Sequence, residues 1–166
     1  MASKTTTQTS RMGGKRVRIV TRVSSTGTKV TVTDAPPEEW EIQAAQVRAL
    51  RSMPEYGEAF LLAGDMNAEK RGPKARLKAV ATGMTAGEPD LRIYVTGGRL
   101  FMIENKVGNG RLTTEQVKRH KDLRRLGFTV EVLRAVSTTD AASQAVALVE
   151  GWLMSASRGD QRMSAA

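Results

Sequence analysis

The stretch Gly83-Met84-Thr85-Ala86-Gly87-Glu88-Pro89-Asp90-Leu91-Arg92-Ile93-Tyr94-Val95-Thr96-Gly97-Gly98-Arg99-Leu100-Phe101-Met102-Ile103-Glu104-Asn105-Lys106 decides the fold. Leu91 to Val95 and Leu100 to Lys106 are strand-like runs, and Thr96-Gly97-Gly98 supplies the residues of a tight reversal. The pattern predicts a β-hairpin. Pairing across it sets Asp90 opposite Glu104, and the two-residue period of a strand sends Lys106 to the same side as Glu104. Two carboxylates and an ammonium then meet at the open end of the hairpin. Such a group suits a hard divalent cation, because Mg²⁺ takes one or two protein carboxylates and keeps its other positions for water and phosphate. Strand geometry also offers the Asn105 backbone carbonyl as a ligand. A lysine alongside can orient water or stabilise a charged transition state. The chemistry these residues allow is phosphodiester hydrolysis. Glu-x-Lys on a strand is also an ordinary surface ion pair worth little, and Pro-Asp an ordinary turn. The short motif alone leaves both accounts standing.

Beyond the hairpin, Val107 to Leu112 reads as a Gly/Asn loop. Thr113 and Gln116 have the spacing of a capping box, opening a helix that runs to about Leu126 and stops at Gly127. Phe128 to Leu133 is a third strand. Asp140 to about Ala156 is a last helix, with residues 157–166 a flexible tail. On the other side of the hairpin, Pro37 to Arg51 reads as a helix in which Trp40, Ala44, Val47 and Leu50 recur. Glu38, Glu39 and Glu41 crowd its first turns, where the dipole favours acids. Phe60-Leu61-Leu62 is a short buried run, and Lys74 to Val80 a short helix. Helix, hairpin, helix, strand, helix is an α/β arrangement: a mixed β-sheet flanked by helices. Residues 15–33 alternate and suggest a two-stranded ribbon or an arm that orders only on DNA, while 1–14 reads as disordered. The organisation expected is a basic arm over 1–37, partly disordered, a domain over 38–156, and the tail.

Composition narrows the function classes. The chain has 166 residues, no cysteine, one histidine and a net charge of +9. Disulfides, thiolate zinc sites and cysteine nucleophiles are excluded, a reducing cytoplasm is the expectation, and no apolar run has the length of a membrane span. Residues 1–33 hold seven basic residues and no acid, leaving a net +2 for the rest. A basic arm on a near-neutral body suits a nucleic-acid binder, and Lys15, Arg16 and Arg18 are its candidate contacts. Lys118, Arg119 and Lys121, on the helix after the acidic loop, are a second phosphate-binding candidate. His120 on that helix reads as a half-exposed histidine, with a phosphate contact as the alternative. Aromatic residues are 4% of the chain, so base stacking is not the binding mode.

The lead-in Gly83 to Leu91, then Ile103-Glu104-Asn105-Lys106, Gly108 to Gly110, Leu112, Thr113, Gln116, Leu123, Gly127 and Val130, form an ordered series. It resembles the VRR-NUC branch of the PD-(D/E)XK nuclease superfamily over about residues 38–137. The resemblance implies a restriction-endonuclease-like core and Mg²⁺- or Mn²⁺-dependent DNA cleavage. It implies that Asp90 and Glu104 are metal ligands and Lys106 the catalytic lysine. Gln116 matches a glutamine that helps place the scissile phosphate, though its spacing fits a simple cap equally well. Glu41 matches the family's acid on the first helix, which completes the metal site through water, and Asn67 matches a polar position before the lead-in. Asn105 departs from the family, which has an apolar residue there. Branched DNA such as four-way junctions or flaps, and a homodimer placing two sites on two strands, are the substrate and assembly the resemblance implies. A DNA-binding module without catalysis and a sequence-specific restriction-type enzyme are the alternatives.

Overall fold

The computed structural model describes residues 3–65 and 72–163. Asn67 lies outside the described residues. The chain divides into two compact units, Met1–Pro37 and Glu38–Ala166.

The first unit is a three-stranded antiparallel sheet, ordered β1 (Lys4–Met12), β2 (Lys15–Ser24), β3 (Gly27–Asp34). The β2–β3 ribbon is where the alternation predicted it. β1 corrects the expectation of disorder over 1–14: every residue from Lys4 to Met12 is paired with β2, in register from Lys4↔Val23 to Met12↔Lys15. Polarity misleads here, because threonine is a good strand residue. Gly13 and Gly14 both take positive φ, at 57° and 81°, which a two-residue hairpin turn requires.

The second unit is built on a four-stranded mixed sheet of β4 (Phe60–Gly64), β5 (Leu91–Val95), β6 (Arg99–Val107) and β7 (Thr129–Ala135), side by side in that order. The first three run antiparallel, and β7 runs parallel to β6. α3 (Thr114–Arg125) makes the crossover that a parallel neighbour needs. α1 (Glu39–Arg51) and α4 (Thr138–Met163) supply the main layer, and α2 (Pro73–Ala81) lies between β4 and β5 in sequence. This is the mixed sheet flanked by helices that the sequence predicts. α4 continues past residue 156 to Met163.

Strand parity sorts the side chains onto two faces. Leu91, Ile93 and Val95 of β5 and Ile103 of β6 pack with Ile42 and Leu50 of α1 and Ala141, Ala145 and Val149 of α4 in the main core. Phe101 extends it by stacking on Trp152 of α4, centroids 4.6 Å apart and 8° from parallel. Met102 points the other way and joins Leu123 of α3 and Val130 of β7 in a smaller core. The next even residue of β6 is Glu104, so the sheet delivers it to the α3 side. α1 buries Ile42, Ala45, Gln46 and Leu50. Trp40, on the stripe read from the sequence, is 64% exposed.

One glycine sets how α3 meets the lead-in. Gly87 has φ 80°, and a Cβ there would lie 2.5 Å from the Glu115 carbonyl oxygen. Gly83 has φ 92° with open space around it. Gly87→Ala is expected to cost about 2 kcal/mol more than Gly83→Ala, since both pay for left-handed backbone but only one collides with a helix. Thermal melts of the two variants compare them, and equal losses would contradict the close approach.

Candidate active site

The hairpin positions the central residues. Leu91 pairs with Ile103, so Asp90 sits just ahead of β5, level with Glu104. The Asp90 carboxylate accepts a hydrogen bond from the Asn105 backbone N–H at 2.7 Å. The Asp90 carbonyl accepts from the Asp65 backbone N–H at 2.8 Å and from Gln43 Nε2 of α1 at 3.1 Å. Backbone and carboxylate of Asp90 are therefore both pinned. Lys106 Nζ lies 2.8 Å from Glu104 Oε1. Asp90, Glu104 and Lys106 converge as the strand period requires.

α3 closes the site from the side. Its cap is the predicted one: Gln116 N–H donates to Thr113 Oγ1, and Thr113 N–H donates to Gln116 Oε1. With its oxygen held by the cap, Gln116 turns Nε2 onto Glu104 Oε1. The two roles weighed for Gln116 are thus not exclusive, since capping leaves the amide nitrogen facing the acidic cluster. One turn on, His120 is 1% exposed, which corrects the half-exposed reading. Its Nε2 is 3.4 Å from Glu104 Oε2. Gln116, His120 and Leu123 follow i, i+4, i+7 spacing, the sequence signal for one inward stripe.

The acid that α1 brings to the site is Glu39, not Glu41. Glu39 Oε1 is 3.1 Å from Lys106 Nζ. Glu41 instead accepts from the Glu38 backbone N–H at 2.7 Å, as half of the α1 capping box. Helix phase explains the exchange: Glu39 lies one turn before the buried Ile42, at the exposed start of the stripe that faces the sheet. The Asn105 side chain points to the opposite face from Glu104 and accepts from Gln46 Nε2 at 2.8 Å, both residues fully buried. An apolar residue there would leave Gln46 unpartnered, so the departure at Asn105 is matched by α1.

Electrostatics follow from burial. Desolvation raises the Glu104 pKa to about 7, outweighing the hydrogen bond from Lys106, and the neighbouring Asp90 charge adds to the rise. Burial likewise raises Asp90 against the pull of the Asn105 N–H and Lys106. Lys106 is lowered by burial, but its bonds and charge pairing with Glu104 and Glu39 raise it overall, so it remains an ammonium at neutral pH. His120 is lowered by burial and by the Arg124 and Lys106 charges, so its ring stays neutral.

Among the described residues no group of three or more His, Asp and Glu side chains is placed to hold one ion. The site offers two carboxylates, the number Mg²⁺ uses. Glu104 Oε2 is buried with no hydrogen-bond donor, an acceptor that a cation satisfies. The residues fit a hard divalent ion on these two grounds.

The predicted phosphate contacts separate. Lys118 and Lys121 are exposed on α3. Arg119 is half-buried, and its Nε donates to Glu88 at 2.7 Å. Glu88 also holds Arg92 at 3.1 Å, and Arg92 holds Asp65 at 3.1 Å. Arg119 thus belongs to a brace that ties α3 to the lead-in. Lys15 and Arg18 are exposed on β2, and Arg16, on the same strand, donates to the Pro36 carbonyl at 3.4 Å.

No family model matches the chain. No curated protein matches it. Among solved structures it is similar to a chain described as a "VRR_NUC domain protein", at 22% identity and a TM-score of 0.48, over 66% of this chain and 85% of that one.

Proposed function

We propose that the Glu38–Ala166 unit is a Mg²⁺- or Mn²⁺-dependent DNA endonuclease. The observation that carries the reading is the convergence of Asp90, Glu104 and Lys106 on the α3 side of the β5–β6 hairpin, with Gln116 and His120 facing Glu104. Asp90 and Glu104 are the residues that would hold the ion, with the Asn105 carbonyl as a third oxygen; when bound, the ion supplies Lewis-acid stabilisation of phosphorus charge and a nucleophilic water. Lys106, held protonated between Glu104 and Glu39, acts as a fixed positive charge for the phosphate in the transition state rather than as a base. Gln116 positions the Glu104 carboxylate and offers a neutral donor beside it. The Asn105 N–H and Gln43 keep Asp90 aligned before substrate arrives, which lowers the reorganisation cost of the reaction.

Branched DNA is the substrate and a homodimer the working form in this reading, both supported by the residue pattern shared with VRR-NUC nucleases. The test is incubation of the protein with four-way junction, flap and linear DNA in Mg²⁺, Mn²⁺ or EDTA. Cutting of the branched forms with either metal and none in EDTA is the expected outcome. Binding without metal-dependent cutting on any substrate would replace the reading with a DNA-binding module. Discrete fragments from plasmid DNA would replace the branched substrate with a sequence-specific one.

A further inference from the structure

We infer that the three-stranded sheet of the first unit carries a nucleic-acid backbone docking face, formed by Arg11, Arg16, Arg18, Arg22 and Lys29. The register puts these residues together. Arg11 is opposite Arg16, and Arg22 is opposite Lys29, while Arg18 lies between them on the same parity of β2. Arg11, Arg18, Arg22 and Lys29 are exposed. Cross-strand partners Thr5, Thr7, Thr9, Thr31 and Thr33 and the half-buried Val20 fill the rest of that face. Asp34, the acid of this sheet, pairs with Val17 and therefore lies on the other side.

Two features point to a polyanion. Like charges directly opposite each other destabilise a sheet, and Arg22 stands opposite Lys29 on a face to which the three strands contribute no acid. A surface that is locally unfavourable in isolation is accounted for by a partner carrying the opposite charge. The row from Arg16 to Arg22 also spans about 20 Å along one strand, a length that runs beside roughly a dozen charges of a duplex. Threonine hydroxyls between the basic groups are suitable phosphate donors.

The same arrangement selects among polyanions. The first unit contains no Phe, Tyr or Trp, so the face contacts backbone without stacking on bases and is indifferent to sequence. A membrane binder places apolar side chains among its basic ones. Here the basic face carries one apolar side chain, the half-buried Val20, and the exposed Met12, Val23, Val30 and Val32 lie on the opposite face. Lys4 and Lys15 are on that opposite face too, so of the three arm residues read from the sequence, Lys15 drops out while Arg11, Arg22 and Lys29 enter. This inference rests on the nuclease reading only in taking DNA as the polyanion.

The experiment measures binding of the full chain to a short duplex and to a four-way junction, in EDTA, across a salt series. Arg18→Gln/Arg22→Gln is expected to weaken binding on the order of 50-fold at 0.1 M salt and to flatten the slope of log K against log salt by about 2. Lys4→Gln, a charge change at the same end of the sheet but on the other face, is expected to shift affinity by less than about 2-fold, and two unrelated duplex sequences are expected to bind alike. Removing Arg22 relieves the pair with Lys29, so the double variant is expected to melt no lower than wild type, separating lost binding from lost folding. Equal losses from Lys4→Gln and from the arginine variant, or no loss from the latter, would overturn the inference. So would arginine-dependent capture by phosphatidylserine vesicles that outcompetes the duplex. Cutting is scored separately in Mg²⁺. A protein that binds through this face yet never cuts keeps the docking face and removes the nuclease reading.

Discussion

Asp90→Asn and Lys106→Ala are each expected to reduce DNA cutting by about 10²- to 10³-fold while leaving the fold intact. Loss of one aligned charge-stabilising group typically costs 10² to 10³ in turnover, and Asp90 is also one of the two carboxylates proposed to hold the ion. Asp90→Asn is the cleaner variant. The asparagine side-chain oxygen can still accept from the Asn105 N–H, so the 2.7 Å bond that aligns the hairpin end survives. Its charge is gone, and with it the repulsion that helps to raise Glu104. Lys106→Ala removes the ammonium that links Glu104 to Glu39. Glu104 can respond by taking up a proton instead of remaining a buried unpaired anion, which is why the fold should tolerate the change at neutral pH. Single-turnover cleavage of a labelled junction, with circular dichroism as the check on folding, measures both. A folded variant of either kind that cuts at the wild-type rate would remove these residues from the chemistry.

The parts of the site that were legible in the sequence share one property: a short periodicity decided them. Asp90, Glu104 and Lys106 come together because strand alternation and a glycine turn leave only one register that buries Leu91, Ile93 and Ile103. Gln116 was legible because a capping box is local. The parts that failed depend on helix phase, which packing sets. Three acids open α1, and choosing among them needs its rotation about its axis. The family resemblance selects Glu41, whereas the observed stripe through Ile42, Ala45 and Leu50 goes with Glu39. The charged neighbours of His120 suggest exposure, although Gln116, His120 and Leu123 mark the inward stripe. β1 is hidden in the sequence for a different reason. Gly13-Gly14 is the same turn signal as the Gly-Gly at 97–98, but the Thr-rich run before it is polar throughout and carries no apolar alternation to mark a strand. The placement of Arg11 opposite Arg16 on the basic face could not be read at all without β1 and the register it imposes.

Glu104→Gln is expected to remove cutting and, at the same time, to make the metal-free protein less sensitive to rising pH. In the folded chain Glu104 has a pKa of about 7, against 4.5 for the ordinary carboxyl. A carboxyl raised in this way is bound more tightly to its proton in the folded state, so its contribution is fully present below pH 4.5 and is lost as pH rises through about 7. The full swing is on the order of 3 kcal/mol. Asp90 is raised as well and acts in the same direction. The wild-type protein in EDTA should therefore lose stability between pH 5 and pH 8, and Glu104→Gln should lose less, with a difference of about 2–3 kcal/mol between the two curves. Glutamine keeps the volume and one acceptor for Lys106, so packing is not the variable. Denaturant unfolding of both proteins at each pH measures the gap, and parallel curves would show that Glu104 is not the group responsible. The same group links stability to activity. Binding of a divalent ion requires the ionised carboxylate, so wild-type cutting should rise from pH 6 to pH 8 while metal-free stability falls, and added Mg²⁺ should restore stability most at the alkaline end. A carboxylate kept buried, part-protonated and unfavourable in the empty site lowers the cost of exchanging its proton for a metal ion, and this opposite dependence on pH is the observable that follows from it.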